Sequence, residues 1–341
     1  MAHELRPRKL APLPDEHPPV VLALVDAEEE FDWGAPFDRG ATSVAAMADI
    51  GRLQERLDDF GVVPTYVVDH PVAAQTTPDS PLAVIAREGR ATIGAHLHPW
   101  VTPPFDEELS RANSFPGNLP RELERAKLVT TISAIEAAFG ARPRCYQAGR
   151  YGVGPNTAEL LEEEGFEVDF SICPPFDYRA EGGPDFSRFG CDTYWFGQQR
   201  RLLGIPLTGT YVGLWPQLVG RGAHGLYAAV TRPLPTALHL PGLLARTRVL
   251  DRLRLSPEGF DRRHHRRLVD ALLARGLRVF VFSLHSPSLR PGCTPYVRTE
   301  ADRQELLDRT VDFLKFFLTE RGGVALTPLE LKARCRSPGA R

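Results

Sequence analysis

The chain has 341 residues, 43% of them hydrophobic and 25% charged, which is enough apolar mass for a sizeable core and excludes a disordered or collagen-like chain. Its formal charge of −2 gives no basic surface for nucleic acid, so that class of partner is not expected. The five cysteines (Cys145, Cys173, Cys191, Cys293 and Cys335) are odd in number and hold no C-x-x-C pair, which argues against both a disulfide scaffold and a cysteine zinc site.

In chain order, residues 1–19 are proline-rich and polar and read as a flexible arm. They carry no apolar core of a signal peptide, so a cytoplasmic location is the expectation. VVLALVD (20–26) is a strand ending in acids, and residues 42–60 have helical periodicity. VVPTYVVD (62–69) and ATIGAHLH (91–98) are further strands, and 119–139 is the longest helix. PRCYQAG (143–149) is a fourth strand, followed by a helix over 155–164 and a strand over 166–172. LLGIPL (202–207) is a short strand inside a Gly-, Pro- and aromatic-rich stretch, 173–237, that reads as a long insertion over one face. A helix over 258–275 leads into LRVFVFSLH (277–285), a helix over 299–320 follows, and GGVALT (322–327) closes the pattern before a loose tail, 334–341. Alternation of apolar strands with helices predicts a parallel sheet covered by helices. No apolar run is long enough to span a bilayer.

Polar clusters stand at the C-terminal ends of four of these strands, the edge that carries active sites in parallel α/β folds. In Asp26-Ala-Glu28 the two acids share one side of an extended strand, where one can bind a metal and the other can take a proton; a solvated acidic loop is the alternative. In His96-Leu97-His98 both imidazoles share a face, a good geometry for two ligands of one divalent ion with a carboxylate completing the set; alone it also reads as a polar strand end. In Gln147-Ala-Gly-Arg150-Tyr151-Gly the glycines allow close approach of a ligand, and Arg150 can hold a carboxylate or phosphate or simply be exposed in a tight turn. His285 ends the apolar run VFVFSL, where a buried ring needs a reason, and its class suits proton transfer near neutrality.

With the motifs VDAEEEFDW, IGAHLHPW, QAGRYG and FSLHSPSL in this order, the chain resembles the NodB-type polysaccharide deacetylases (carbohydrate esterase family 4) over residues 20–333, in a variant form with D-x-E and H-x-H. The resemblance implies a distorted (β/α)7 barrel and metal-assisted removal of an acetyl group from a sugar. It implies Asp26 as the base acting on the attacking water, Glu28, His96 and His98 as ligands of one divalent metal, most simply zinc, and His285 as the acid that protonates the leaving amine. A backbone N–H near Tyr151 would hold the oxyanion. Three positions depart from the family pattern. Trp100 stands where a second histidine is usual, Gln147 replaces an arginine with Arg150 three places later, and the acidic partner of His285 is Asp169 or Asp177.

Trp33 and Trp100 follow the acidic and histidine motifs directly and read as platforms that stack on a sugar, or else as buried core tryptophans. The arginines 246, 248, 252, 254, 262, 263, 266 and 267 read as a solvated helix face, or else as a weak contact with lipid head groups or a pyrophosphate-linked glycan. The substrate expected is thus a carbohydrate, or a lipid- or nucleotide-linked glycan precursor. Two other functions fit the same residues: hydrolysis of a cyclic or small amide, suggested by the altered histidine spacing, and glycan binding without catalysis.

Overall fold

The structure, a computed structural model, describes residues 9–32, 34–213, 225, 227, 229 and 249–336. Trp33, Arg246, Arg248, most of 214–237 and the end of the tail therefore lie outside the described residues.

The strands are β1 (Lys9–Leu10), β2 (Val20–Ala27), β3 (Thr65–Val68), β4 (Thr92–Leu97), β5 (Cys145–Ala148), β6 (Val168–Asp169), β7 (Tyr194–Phe196), β8 (Leu202–Gly204), β9 (Gly209–Val212), β10 (Asp251–Arg254), β11 (Val279–His285) and β12 (Val324–Ala325). The helices are α1 (Ile50–Asp58), α2 (His70–Gln75), α3 (Pro81–Arg87), α4 (Arg121–Phe139), α5 (Thr157–Glu163), α6 (Arg262–Leu273), α7 (Glu300–Lys315) and α8 (Pro328–Arg334).

The barrel strands run in the order β11-β2-β3-β4-β5-β6-β8, and every neighbouring pair is parallel. β2 is buried along its whole length, which is why its sequence is apolar at every position up to Asp26 rather than alternating. The helices pack outside; α1 buries Ile50, Leu53 and Leu57 at helical spacing. α4 ends at Gly140, whose φ of 74° supplies the left-handed cap that a side chain resists.

The circle closes at one narrow seam. Residues 205–208 continue past β8, Leu255 N donates to Thr208 O at 2.8 Å, and Ser283 N on β11 donates to Leu255 O at 3.1 Å. Thr208 Oγ1 adds a third link by accepting from Val281 N at 2.8 Å. The result is the distorted (β/α)7 barrel expected, with seven strands in the ring.

Two boundaries differ from expectation. The described part of the N-terminal arm is not loose: Lys9–Leu10 pair with β7, Ala11 and Leu13 enter the main core, and Arg336 N bonds Pro12 O. The stretch from 173 is not simply an insertion, because β8 within it is a wall of the barrel and β7 pairs with β8. β8 is the short strand expected over 202–207, whereas the Gly-, Pro- and aromatic-rich composition hid β7. No described helix is long and apolar enough to cross a membrane.

Candidate functional site

Register brings the clusters together. β11 and β2 pair His285 with Asp26, and β4 and β5 pair His96 with Gln147. All four lie at strand C-termini, around a cavity of about 740 Å³ that Glu28, His98 and Tyr151 also line.

Glu28 Oε2 lies 3.4 Å from His96 Nε2 and 3.6 Å from His98 Nε2. Each ring is oriented by its other nitrogen. His96 Nδ1 donates to Gln147 O at 2.9 Å, and His98 Nδ1 donates to Glu29 Oε2 at 2.8 Å. Both Nε2 atoms are left facing Glu28, the arrangement by which outer carboxylates and carbonyls fix metal-binding histidines. Glu28 itself is steadied by its N–H, which donates to Ser286 Oγ at 3.1 Å.

Behind His98, Glu29 sits against Asp69, whose Oδ2 takes the Glu29 N–H at 2.8 Å. Burial drives both carboxyls up, that of Glu29 to about 7, and Glu29 raises Asp69 further, while the hydrogen bond with Asp69 holds Glu29 back.

The donor set fits a divalent ion. His98 Nε2 is buried without a hydrogen-bond partner, although it points at a carboxylate. Burial and the neighbouring His96 push its ring down to about 3, so it is a neutral lone-pair donor at ordinary pH. Burial also pulls on His96, but Glu28, Asp26 and Asp69 outweigh it and the net direction is up. An acidic cluster that draws positive charge to this point, with two imidazoles and one carboxylate, suits zinc-class chemistry.

Asp26 and His285 flank the ligands. Gln147 Nε2 donates to Asp26 Oδ2 at 2.9 Å, so a neutral amide does the donating where the arginine of the family pattern would stand. Asp26 Oδ1 is buried with no hydrogen-bond partner. His285 Nε2 stands 3.5 Å from Asp26 Oδ2. Its acidic partner is neither Asp169, which accepts from Ser171, nor Asp177, which holds Arg179. It is Glu258, on the loop between β10 and α6, which accepts from His285 Nδ1 at 2.8 Å, from His285 N at 3.1 Å and from Ser288 Oγ at 2.5 Å. Burial alone would lower the His285 imidazolium, but Glu258, followed by Glu28 and Asp26, lifts it to about 10.

Two of the expected substrate contacts are placed differently. Trp100 is 1% exposed and stacks on His98 with ring centroids 4.2 Å apart, so it backs a ligand and offers no face to a sugar. The short turn Pro99–Val101 carries it inward. Arg150 does line the cavity, but its guanidinium is committed to Glu181 and Ser114 and lies 4.2 Å from the Phe115 ring centroid. Tyr151 is buried in the cavity wall, and Arg150 and Tyr151 both adopt left-handed backbone, with φ of 52° and 59°. Gly149 before them is required: a Cβ there would lie 2.3 Å from Leu97 O and 2.4 Å from His98 Cδ2.

The arginine-rich segment is not one solvated helix face either. Arg252 and Arg254 belong to β10, while on α6 Arg266 pairs with Glu320 and Arg267 with Asp251. Much of the charge invoked for a lipid surface is answered within the protein. Sequence reasoning missed Glu258, Glu29 as the partner of His98, and Arg254 as a cavity residue. The E-E-E run held a signal for Glu29, since the residue next to a ligand on an extended chain faces the other side.

No protein-family model matches the sequence, and no curated protein matches it. Solved structures do match. A protein from Mycobacterium smegmatis with the provisional name of polysaccharide deacetylase aligns over 97% of this chain and 94% of its own, with 17% identity and a TM-score of 0.55. PuuE allantoinase aligns over 92% and 89%, with 15% identity and a TM-score of 0.52. A second provisionally named polysaccharide deacetylase, from Pseudomonas aeruginosa PAO1, aligns over 92% and 90%, with 16% identity and a TM-score of 0.52. The chain therefore has the fold of the NodB-type polysaccharide deacetylases, which the allantoinase shares.

Proposed function

We propose that this protein is a metal-dependent hydrolase that removes an acetyl group from a carbohydrate by cleaving its C–N bond. The observation that carries the reading is the convergence of Glu28, His96 and His98 on one point, flanked by Asp26 and by a His285 that Glu258 keeps protonated. Those three residues would hold one divalent ion, with zinc the natural choice; when bound, such an ion supplies Lewis acidity to the acetyl carbonyl and lowers the pKa of water.

The chain's own groups then divide the proton work. Asp26 receives the proton of the attacking water on Oδ1, while Gln147 holds Oδ2 in place. The water oxygen bonds to the acyl carbon, the C–N bond breaks, and His285 gives its Nε2 proton to the departing nitrogen. Acetate and a free amine result. Glu258 keeps His285 charged until that moment, as a general acid requires. The open cavity, walled by aromatic and apolar groups such as Phe31, Phe37 and Tyr296, suits a sugar ring, and Tyr151 stands on its substrate side.

The test combines metal content with turnover. Purified wild-type protein should hold about one zinc-class ion per chain and release acetate from N-acetylated sugars. His98→Ala should lose the ion, and Asp26→Asn should keep it but lose turnover. Wild-type protein that binds no divalent metal would end this reading.

A second reading, hydrolysis of a cyclic or small amide, is favoured by the allantoinase sharing this fold at a TM-score of 0.52. Turnover of ring amides without acetate release from sugars would establish it. A binder without catalysis has less support, because Gln147 and Glu258 fill the two roles that seemed vacant in the sequence.

A further inference from the structure

Arg254 reaches the same cavity from β10, and among the described residues no carboxylate forms an ion pair with it. We propose that Arg254 anchors an anionic oxygen group, a carboxylate or a phosphate ester, carried by the substrate; the inference rests on the hydrolase reading and narrows its substrate class.

Arg111, Arg150, Arg254 and His285 supply the positive charge around the cavity. Arg150 is spent on Glu181 and His285 on Glu258. Arg254 lines the cavity yet has no carboxylate in ion-pairing range among the described residues. Its Nη2 donates to Ser283 Oγ at 3.2 Å, and the guanidinium lies 5.5 Å from the Tyr151 ring centroid. Its Nε is shut away from solvent with no hydrogen-bond partner.

The guanidinium is part-buried at the cavity wall, and its buried Nε has a donor unused, which is costly unless an acceptor meets it. Its planar fork matches a carboxylate or phosphate in two-point contact. Asp26 shares the cavity, but its Oδ2 is already engaged by Gln147. A neutral sugar would leave Arg254 without an ion-pair partner among the described residues; an acidic one would supply it.

The experiment uses metal-loaded full-length protein carrying Asp26→Asn, so that a bound probe is not consumed. Binding of N-acetylglucosamine, N-acetylmuramic acid and N-acetylglucosamine 6-phosphate is measured by calorimetry, with Arg254 intact, as Arg254→Met and as Arg254→Lys. At least one acidic probe should bind about tenfold more tightly than the neutral sugar. That preference should vanish in Arg254→Met and fall several-fold in Arg254→Lys, which keeps the charge without the fork. The arm that responds tells carboxylate from phosphate. If Arg254→Met fails to fold, the Lys variant carries the test. Equal binding of acidic and neutral probes, or a preference unchanged by the substitutions, would overturn the proposal. Failure of the hydrolase reading is seen separately, as missing metal and missing acetate release in the unmodified protein.

Discussion

Glu258→Gln isolates the device that keeps His285 charged. At 2.8 Å and an effective dielectric constant near 20, the Glu258–His285 attraction is about 6 kcal/mol. Burial of the ring takes part of that back, and the net result is a rise from the ordinary 6.5 to about 10. Glutamine removes the charge and keeps the shape, while Asp26 and Glu28 remain. The His285 titration should therefore move down by at least one pH unit, roughly 1.4 kcal/mol, without reaching an unperturbed value. The assay is an NMR titration of the ring in chelator-treated protein. The sign extends to stability: a histidine with a raised folded pKa stabilises fully below about 6.5 and loses that contribution as pH rises through about 10. The wild-type advantage over Glu258→Gln in melting temperature should shrink over that window. In turnover, the alkaline limb should shift to lower pH by the same amount as the ring titration. An unchanged ring titration would refute the argument, since no other described group bonds His285 Nδ1.

Three further outcomes follow from packing. Gly149→Ala places a Cβ 2.4 Å from His98 Cδ2, so it should cost about 1–3 kcal/mol in denaturant unfolding and weaken metal retention; full metal occupancy at wild-type stability would contradict the contact. Trp100→Ala should lose about 3–5 kcal/mol of stability and metal affinity together, whereas a sugar platform would show lost substrate affinity in a stable, metal-loaded protein. Lys127 is buried on α4, paired with Glu107 and donating to Pro99 O at 2.9 Å and Thr102 O at 2.6 Å, so Lys127→Met should destabilise by about 3–5 kcal/mol and loosen the turn that follows His98; a melt within a degree of wild type would refute it.

What could be read in advance followed from how far the physical signal extends along the chain. β2 and β11 are long, doubly covered and apolar throughout, so their bounds were plain. β6 and β8 fall within the runs expected over 166–172 and 202–207 but are far shorter, and β7 and β9, of three and four residues, are too short for periodicity to register. Within the site, alternation along an extended strand was enough to pair Asp26 with Glu28 and His96 with His98. It failed at Trp100, where the chain leaves the strand for a tight turn and alternation no longer says which way a side chain points. Glu258 was out of reach for another reason: it meets His285 across 27 residues, from a loop with no motif of its own. The arginines of 252–267 were grouped by adjacency, which ignores that β10 and α6 face different surroundings.

The seam at Leu255 divides the barrel's labour. On one side the ends of β2 and β4 carry the proposed ligands Glu28, His96 and His98, held by Glu29, Asp69 and Gln147. On the other, one short segment bears Arg254, the closing Leu255 and Glu258. On the proposed reading, changes confined to residues 251–258 would alter which substrates are retained, and how acidic His285 is, without touching the proposed metal ligands. A lineage of such proteins could exchange substrates by editing this single stretch, keeping the hydrolytic half as inherited hardware.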